Sequence, residues 1–510
     1  MWSTAPLKRF IYLFHRWSGV GFCLLMLLWV VSGVVMLYVG YPRLLPQERL
    51  AALPALATEG CCVPVAAALA HSSDAAQVQE LRLTSIGGAM RYRLREGDGS
   101  LLLVDAVTGR RLPPADEVAA LASAQAFLPG VPAQLLDTVE DDRWSHSRLM
   151  DPHRPLYRVQ MEDEARTLLY VSSVTGEVML DAPQTQRAWN FVGAWLHWLY
   201  MFRDNSRDPF WTWLLILLSA AGTLSVLAGA AAGLWRWRFQ GRYKTGRGTP
   251  YREAPMRWHH LSGLVFGLML IVWMFSGLMS MNPLGLFDPA QGRPDLAAYR
   301  GGTPGTTRPE LSASQALALL RRSGFEPREL EWKVLGGQPY FLARGAHEDS
   351  RIVLRQAQGW SVHAQWSDDV LLAAAAQLRP EAITNVDVLR GYDSHYYARQ
   401  AASMYGGNER PLPVLKVVYA DTGRTQAYLD PRSGDVVHSA DRAQRTGRWL
   451  FNLLHSWDLP VMLHGATARE VTLILLSLGM LAVAATGSWI GWKRLRVFVH
   501  QSRLRARGKP

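Results

Sequence analysis

Charged residues and cysteines are both scarce in this chain, and each shortage excludes a class of protein. Only 19% of the 510 residues are charged, which is low for a soluble globular protein, and there are three cysteines in all. No Cys-x-x-Cys pair occurs, which argues against a thiol redox site or a zinc ribbon. A Gly-x-Gly-x-x-Gly turn and a P-loop are also absent, so the chain offers no nucleotide site of either kind.

The shortage of charge is concentrated in four uncharged runs, at residues 17–42, 209–235, 261–287 and 471–492. Each run is long enough to cross a hydrocarbon core of about 30 Å, which needs about 20 helical residues. The first run is too long for the apolar region of a cleavable signal peptide. We therefore predict four transmembrane helices, with the lipid bilayer as the chain's first partner.

Basic residues flank these runs on one side only. Residues 1–16, 236–257 and 493–510 carry net charges of +3, +6 and +7, whereas the whole chain carries +12. The positive-inside rule places these segments in the cytoplasm and the two long connections outside. Because the basic segments all border membrane spans, the charge is a topology signal and gives no support for nucleic-acid binding.

The chain also repeats itself. Six residues recur 244 positions later, and a second set recurs 258 positions later, so two halves differ by a net insertion of 14 residues in the second outer segment. The first set pairs His15, Ser18, Gly19, Trp29, Ser32 and Gly33 with His259, Ser262, Gly263, Trp273, Ser276 and Gly277. The second pairs His197, Ser219, Gly229, Gly233 and Arg236 with His455, Ser477, Gly487, Gly491 and Arg494. Such symmetry predicts two similar halves about a pseudo-two-fold axis along the membrane normal.

The predicted fold class is an α-helical integral membrane protein with α+β outer domains. Hairpins are predicted at 101–112, 168–180 and 426–438, where Thr-Gly or Ser-Gly turns separate strand-like runs. A capped helix is predicted at 312–324, and loops at 292–309 and 406–413. The predicted segments are 1–42 (first span), 43–186 (outer domain), 187–235 (short helix with a histidine, then second span), 236–257 (basic loop), 258–287 (third span), 288–445 (outer domain), 446–492 (short helix with a histidine, then fourth span) and 493–510 (basic tail).

Four motifs in this order resemble the PepSY-associated transmembrane family over nearly the whole chain: FHRWSG at 14–19, RPLPVLKV at 410–417, YLDPRSGDVV at 428–437 and FNLLHSWDLP at 451–460. The resemblance implies PepSY-like outer domains and the bacterial inner membrane. Some members of the family are similar to ferric-siderophore reductases that carry b-type haem. The resemblance therefore implies a reductase that acts on a periplasmic ferric siderophore or other iron chelate.

Four histidines occupy matched positions near the ends of the predicted spans. Isolated histidines at a membrane boundary are commonly interfacial polar residues, but ionisable groups near a membrane core usually face the bundle interior. His15 and His259 fall at the cytoplasmic ends of spans one and three, and His197 and His455 fall on the outer side. We predict that each pair supplies the two axial ligands of one haem iron, giving two b-type haems, since the Cys-x-x-Cys-His attachment motif is absent.

A planar macrocycle between helices needs small residues beside it. Gly19, Met26 and Gly33 lie four, eleven and eighteen residues after His15 and fall on one helical stripe. We therefore predict that Gly19, Gly33, Gly263 and Gly277 line the cofactor sites, with Gly229, Gly233, Gly487 and Gly491 at the level of the inner pair. The alternative is that these glycines only allow close helix packing.

Other residues leave alternatives open. His260 is a rival to His259, although it aligns with Arg16 and is expected to be an interfacial charge; His464 has no counterpart in the first half. Neighbouring Cys61 and Cys62 are not expected to bond to each other. Polar residues in the outer domains could bind an iron chelate or shape the outer haem edge, or simply form surface loops: Asp142, His146, His153, Asp393, His395, Tyr396 and Tyr397.

Three functions compete at this stage. The first is a dihaem reductase, whose electron donor would be quinol or a separate cytoplasmic reductase. The second is a non-enzymatic, membrane-anchored PepSY module that binds a peptide or regulates a peptidase. The third is a transporter, for which charged or broken spans would be expected, and the predicted spans hold no acidic residue.

The charge distribution predicts that both termini are cytoplasmic. A reporter that is active only in the periplasm, fused after Pro510, should therefore be silent. Strong activity of the fusion after Pro510 would contradict this topology and exchange the inner and outer histidine pairs.

Overall fold

The computed structural model describes residues 5–58, 60–205, 207–290, 292–347, 349–398 and 410–506. The predicted loop at 406–413 therefore lies partly outside the described residues, and residues 1–4 and 507–510 of the two basic terminal segments lie outside them as well. Within the described part, four helices are long and apolar enough to cross a membrane, so the protein has the helices of an integral membrane protein together with separate antiparallel sheets.

The α-helices of the described chain are α1 Ala5–Tyr38, α2 Pro46–Ala52, α3 Val65–Leu69, α4 Glu117–Phe127, α5 Gln184–Asn190, α6 Pro209–Arg236, α7 Ala254–Ser280, α8 Leu296–Arg300, α9 Ala313–Arg322, α10 Asp368–Ala375, α11 Arg442–Arg448, α12 Leu454–Ser456, α13 Pro460–His464 and α14 Ala466–Ala506. The strands are β1 Glu80–Ile86, β2 Ala89–Arg95, β3 Leu101–Asp105, β4 Ala133–Val139, β5 Leu156–Met161, β6 Leu168–Ser172, β7 Val178–Ala182, β8 Glu329–Leu335, β9 Gln338–Arg344, β10 Ser350–Gln356, β11 Gly359–His363, β12 Ile383–Leu389, β13 Val414–Tyr419, β14 Gln426–Leu429 and β15 Val436–Ala440.

The four long helices form one bundle. Helices α1 and α7 each pack against both α6 and α14, so the order around the bundle is α1, α6, α7 and α14, and the two long helices of each half are neighbours. Its centre is an apolar cluster that includes Val30, Val226, Leu270, Met274, Met480 and Val483. Gly479 lies directly against the Phe266 ring, and this small residue lets the two helices approach closely.

Three of the four long helices, α1, α7 and α14, differ in their bounds from the predicted spans. Helix α1 begins at or before Ala5 and ends at Tyr38, and α7 covers Ala254–Ser280 instead of 261–287. The uncharged runs mark membrane depth, whereas the helices continue into basic flanks because Lys and Arg are good helix formers. Helix α7 ends at Ser280 because Asn282 adopts a left-handed conformation and Pro283 follows it.

A short segment with a π-helical turn precedes the second long helix of each half. Helix α5 continues into a π-helix at Phe191–Trp195, and α11 continues into one at Trp449–Leu453. The chain then reverses at Leu199 and Trp457, both of which have positive φ. His197 and His455 lie between the π-helix and the reversal, packed on α1 and α7 respectively. π-Helical turns are frequent at functional sites.

The outer domains share one sheet. Strands β1–β3 of the first half and β8–β11 of the second form a seven-stranded sheet, in which β1 pairs antiparallel with β8. Each half adds a four-stranded antiparallel sheet, β4 to β7 and β12 to β15. The hairpins at 168–180 and 426–438 and the helix at 312–324, with its Ser312 cap, are confirmed.

Three local predictions need correction. The 101–112 segment forms β3 and then a single bridge, Val104 to Arg111, instead of a full hairpin. Helix α8 lies within the predicted loop at 292–309 because Asp295 caps its first amides. Cys61 and Cys62, at the edge of the core that the two halves share, are joined to each other.

A buried carboxylate holds the joint between the halves. Glu329 on β8 is 0% exposed and accepts hydrogen bonds from Arg49 on α2, at 2.8 and 3.1 Å, while Arg82 on β1 lies 3.0 Å from its Oε1. The Arg49 and Arg82 guanidiniums outweigh the effect of burial and hold the pKa of Glu329 below its usual value. Removing this carboxylate would take from two half-buried guanidiniums the buried acceptor that they share.

Glu329→Ala should therefore destabilise the outer domains by about 3–5 kcal/mol, the range measured when one partner of a buried ion pair is removed. The control is Glu310→Ala, because the Glu310–Arg355 pair is exposed and should contribute less than about 1 kcal/mol. Thermal unfolding of the purified protein in detergent compares the two variants. Equal midpoints would contradict the assigned role of Glu329.

Candidate cofactor site

The inner histidine pair joins α1 to α7. The ring centres of His15 and His259 are 6.3 Å apart, and the ring planes differ by 20°. His15 Nδ1 lies 3.1 Å from the carbonyl oxygen of Ser225 on α6, and His259 Nδ1 lies 3.1 Å from that of Val483 on α14. A carbonyl can only accept, so each Nδ1 carries the proton and each Nε2 keeps its lone pair.

In the outer pair, each Nδ1 is again hydrogen-bonded, but the acceptors are serine hydroxyls instead of backbone carbonyls. The ring centres of His197 and His455 are 6.5 Å apart and the planes differ by 79°. Ser32 and Ser276 place their Oγ atoms 3.0 Å from the two Nδ1 atoms. Each serine hydroxyl also donates to a carbonyl of its own helix, so it accepts from the histidine. Both Nε2 atoms again keep a lone pair.

Every histidine of the two pairs packs against a glycine of a neighbouring helix. A Cβ on Gly229 would lie 2.5 Å from the His15 ring, and one on Gly487 would lie 3.2 Å from that of His259. The corresponding distances at the outer pair are 3.5 Å for Gly33 and 3.9 Å for Gly277. The predicted placement of glycines from other helices beside each pair is therefore observed at these four positions.

The remaining predicted glycines fall into two groups. Gly19 and Gly263 have no neighbouring atom within 4 Å of a Cβ position, so the space beside them is open. Gly233 faces Leu264 and His260, and Gly491 faces Cys23 and Val20. The last two glycines thus serve helix packing, which was the alternative open at the start.

The two pairs lie at opposite ends of the bundle. His15 and Gly33 are eighteen residues apart on one helix, which corresponds to about 27 Å along its axis. The apolar cluster at the centre of the bundle separates the two levels. A mainly apolar cavity surrounds the outer pair, and Met26, Trp29 and Trp273 are among the residues that line it.

The rival ligands are not equivalent to the four histidines. His260 is 6% exposed, and both of its ring nitrogens have partners: Thr249 Oγ1 at 2.8 Å and the Gly233 carbonyl at 2.9 Å. It therefore fastens the 236–257 loop to the end of α6, and the expected interfacial charge is corrected to a buried, hydrogen-bonded side chain. The side chain of His464 lies outside the part of the chain that the structure describes.

The polar residues of the first outer domain mostly stabilise their own loop. Asp142 accepts hydrogen bonds from Tyr170 at 2.7 Å and Arg158 at 3.1 Å. His153 is buried, its Nδ1 lies 3.0 Å from Ser172 Oγ, and burial lowers its pKa to about 4. His146 lies 2.9 Å from Asp141.

The matching loop of the second outer domain is similar. Asp393 accepts from Lys416 at 2.9 Å and from the backbone amides of His395 and Tyr396. Burial and the Arg448 guanidinium lower the pKa of His395 to about 4, and Tyr397 lies beneath that guanidinium. Among the described residues, no hydrogen bond or ring contact joins these two loops.

Sequence reasoning missed the residues that orient the histidines. Ser32 and Ser276 belong to the matched set, which was a usable signal, but only the contacts reveal that they bind Nδ1. Trp29 donates from Nε1 to the His197 carbonyl at 2.9 Å. Such partners, which fix the tautomer and the ring orientation, accompany almost all metal-binding histidines.

The separations suit one metal ion between each pair of rings. A metal–imidazole nitrogen bond is about 2 Å long, and the ring centre lies roughly one ångström further on, so two axial rings have centres roughly 6 Å apart. The observed 6.3 and 6.5 Å agree with this value. Among the described residues no group of three or more His, Cys, Asp or Glu side chains could hold a metal ion; a haem iron needs only two protein ligands.

Comparison with known proteins adds no identification. No protein-family profile matches the chain, and no curated protein matches it. The arrangement of side chains is therefore the basis for the functional argument.

Gly229→Ala should push the His15 ring from its place, because the added Cβ would lie 2.5 Å from that ring. Overpacking of this kind costs about 1–3 kcal/mol. Gly21→Ala on α1 is the matched control, since no atom lies within 4 Å of its Cβ position. The midpoint of thermal unfolding should fall for Gly229→Ala only; equal midpoints for the two variants would contradict the packing of His15 on Gly229.

Proposed function

We propose that the chain is a dihaem b-type electron-transfer protein of the PepSY-associated transmembrane type, placed in the bacterial inner membrane with both termini in the cytoplasm. Its substrate is a periplasmic ferric chelate, such as a ferrisiderophore, and its electron donor is quinol or a cytoplasmic reductase. The observation that carries the proposal is the presence of two histidine pairs with ring centres 6.3 and 6.5 Å apart at opposite ends of one bundle.

The proposed ligands are His15 with His259 and His197 with His455. A haem held in this way supplies one-electron redox chemistry. The protein contributes position and environment: carbonyls of α6 and α14 orient the inner rings, and serines of α1 and α7 orient the outer rings. These partners hold the Nδ1 protons, so the Nε2 lone pairs would be free to ligate the iron.

The bundle centre supports electron transfer in preference to transport. Val30, Val226, Leu270 and Met274 are buried there and carry no polar side-chain group, so this cluster supplies no ligand for an ion or a polar solute. The long helices α6 and α7 are also continuous, whereas transporters typically bind substrate at broken helices. Electrons can cross such an interior between two redox centres, but solutes require an opening.

Matched structural features in the two halves support the proposed pseudo-two-fold arrangement. Arg82 and Glu331, which lie 249 positions apart, are register partners across the β1–β8 pair. The π-helices, the left-handed residues and the outer histidines are each separated by 258 positions. We infer that each histidine pair lies across this axis, with one ligand from each half.

His197→Ala should remove the outer cofactor alone. The variant should retain about half of the haem. The remaining inner haem should stay low-spin and reducible by the donor, but the variant should no longer reduce a periplasmic ferric chelate. Electron paramagnetic resonance distinguishes the two sites: near-parallel imidazole planes, as in the inner pair, split two iron d orbitals strongly, whereas perpendicular planes, as in the outer pair, leave them nearly degenerate. Near-degenerate orbitals give a strongly anisotropic signal, so the signal of the outer pair should disappear while that of the inner pair remains.

The control is His500→Ala, an exposed histidine beyond the bundle, which should keep both signals and full chelate reduction. Retention of both signals in His197→Ala would show that His197 is not a ligand. A wild-type protein that stays colourless after expression with ample haem and iron would refute the proposed function itself.

A further inference from the structure

A buried arginine lines the cavity around the outer histidines. Arg469, in the first turn of α14, is 3% exposed, and it lines this cavity together with His197 and His455. A guanidinium remains charged in proteins. Charged side chains at this position in a membrane protein are costly and generally have a functional partner.

One contact of Arg469 does not require this charge. Arg469 donates from Nε to the Ser456 carbonyl at 2.8 Å, and Trp211 in the first half donates from Nε1 to the Trp198 carbonyl at 2.7 Å. The donors lie 258 positions apart, and so do the acceptors, which directly follow His455 and His197. A neutral tryptophan thus makes the same hydrogen bond, so the charge of Arg469 is not needed for it.

The additional feature is a second nitrogen with unused hydrogen-bonding capacity. Arg469 Nη2 is buried and makes no hydrogen bond in the described structure. The nearest carboxylate, of Asp458, lies 3.8 Å away, which is beyond hydrogen-bonding distance. A buried donor without an acceptor costs about 1–3 kcal/mol, so an acceptor in the cavity would recover this free energy.

The cavity is also asymmetric on the side of Arg469. The residue after His455 is Ser456, whereas the residue after His197 is Trp198, and both line the cavity. Trp198 is held in an aromatic contact with Trp211. Beside the two histidines, the second half therefore places a small residue and a cation where the first half places a bulky aromatic ring.

We infer that Arg469 binds a carboxylate of the group held between His197 and His455, that is, a propionate of the outer haem. The inference rests on the proposed function. Arg–carboxylate bonds are charge-assisted and directional, and haem brings this carboxylate on the same molecule as the iron. Arg469 is thus a positioning residue that fixes how the outer macrocycle is rotated about its axis, with its carboxylate toward the second half.

The test replaces Arg469 with the residue of the other half. Arg469→Trp keeps an N–H that can reach the Ser456 carbonyl but removes the charge, and Arg469→Lys keeps the charge. Binding of haem and of haem dimethyl ester, which lacks the free carboxylates, is measured at the outer site of each protein. The inner site of the same molecule reports whether the bundle is folded.

Wild type should bind haem about tenfold to a hundredfold more tightly than the ester at the outer site, the worth of one bond to a charged group. Arg469→Trp should bind both equally and should show a lower midpoint potential of the outer haem, because a positive charge near it is lost. Arg469→Lys should retain part of the preference, and the inner site should not change in any variant.

Three results would overturn the inference. One is equal binding of haem and ester by the wild-type outer site. Another is an unchanged preference in Arg469→Trp, which would assign Arg469 to its ion pair with Asp458 alone. The last is the absence of haem at both sites of wild type, which refutes the proposed function as well and is thereby distinguished from the other two.

Discussion

The hydrogen bond to Nδ1 of each paired histidine is the interaction on which the site depends. A free imidazole can protonate either nitrogen and rotate about its side-chain bonds, so a histidine in a bundle is not by itself a ligand. The acceptors belong to other helices: the Ser225 and Val483 carbonyls, and the Ser32 and Ser276 hydroxyls. Each bond therefore fixes a tautomer, orients a ring and joins two helices at once. The glycines opposite the rings are needed for the same reason, since a side chain at Gly229 would push the His15 ring away from its acceptor.

The sequence predicted the parts of this site that follow from periodicity and failed where contacts decide. Apolar runs located the spans, and matched displacements selected His15, His197, His259 and His455 without a structure. Helix ends were misplaced because hydropathy reports membrane depth and not helix length, as in α1 and α7. The pairing of β1 with β8 could not be predicted, because strands from distant segments pair through a register that local patterns do not contain. The role of Arg469 depends on one nitrogen without an acceptor, which only side-chain positions reveal.

The two histidine pairs differ in their hydrogen-bond acceptors and in the angle between their rings, so the two proposed haem sites should differ in redox potential. The inner pair uses backbone carbonyls and nearly parallel rings, whereas the outer pair uses hydroxyls and nearly perpendicular rings. A carbonyl is a stronger acceptor than a hydroxyl that already donates elsewhere, so it makes its imidazole a more basic ligand. Basic axial ligands favour the oxidised iron, whereas a nearby cation such as Arg469 favours the reduced iron. These differences would place the outer site at the higher potential, which is the direction that outward electron flow requires.

The outer domains also hold the outer pair in register. Strand β7 ends at Ala182 and α5 begins at Gln184, while β15 ends at Ala440 and α11 begins at Arg442. His197 and His455 therefore follow closely from the two four-stranded sheets, and these sheets belong to halves that the β1–β8 pair joins. Below, Ser32 and Ser276 fix the same two rings to the long helices α1 and α7. The separation of 6.5 Å is consequently set from both sides, by the sheet and by the bundle. A disturbance of the Glu329 network in the sheet should therefore reach the outer histidines before it reaches the inner pair, whose two carbonyl acceptors, on Ser225 and Val483, lie within the bundle.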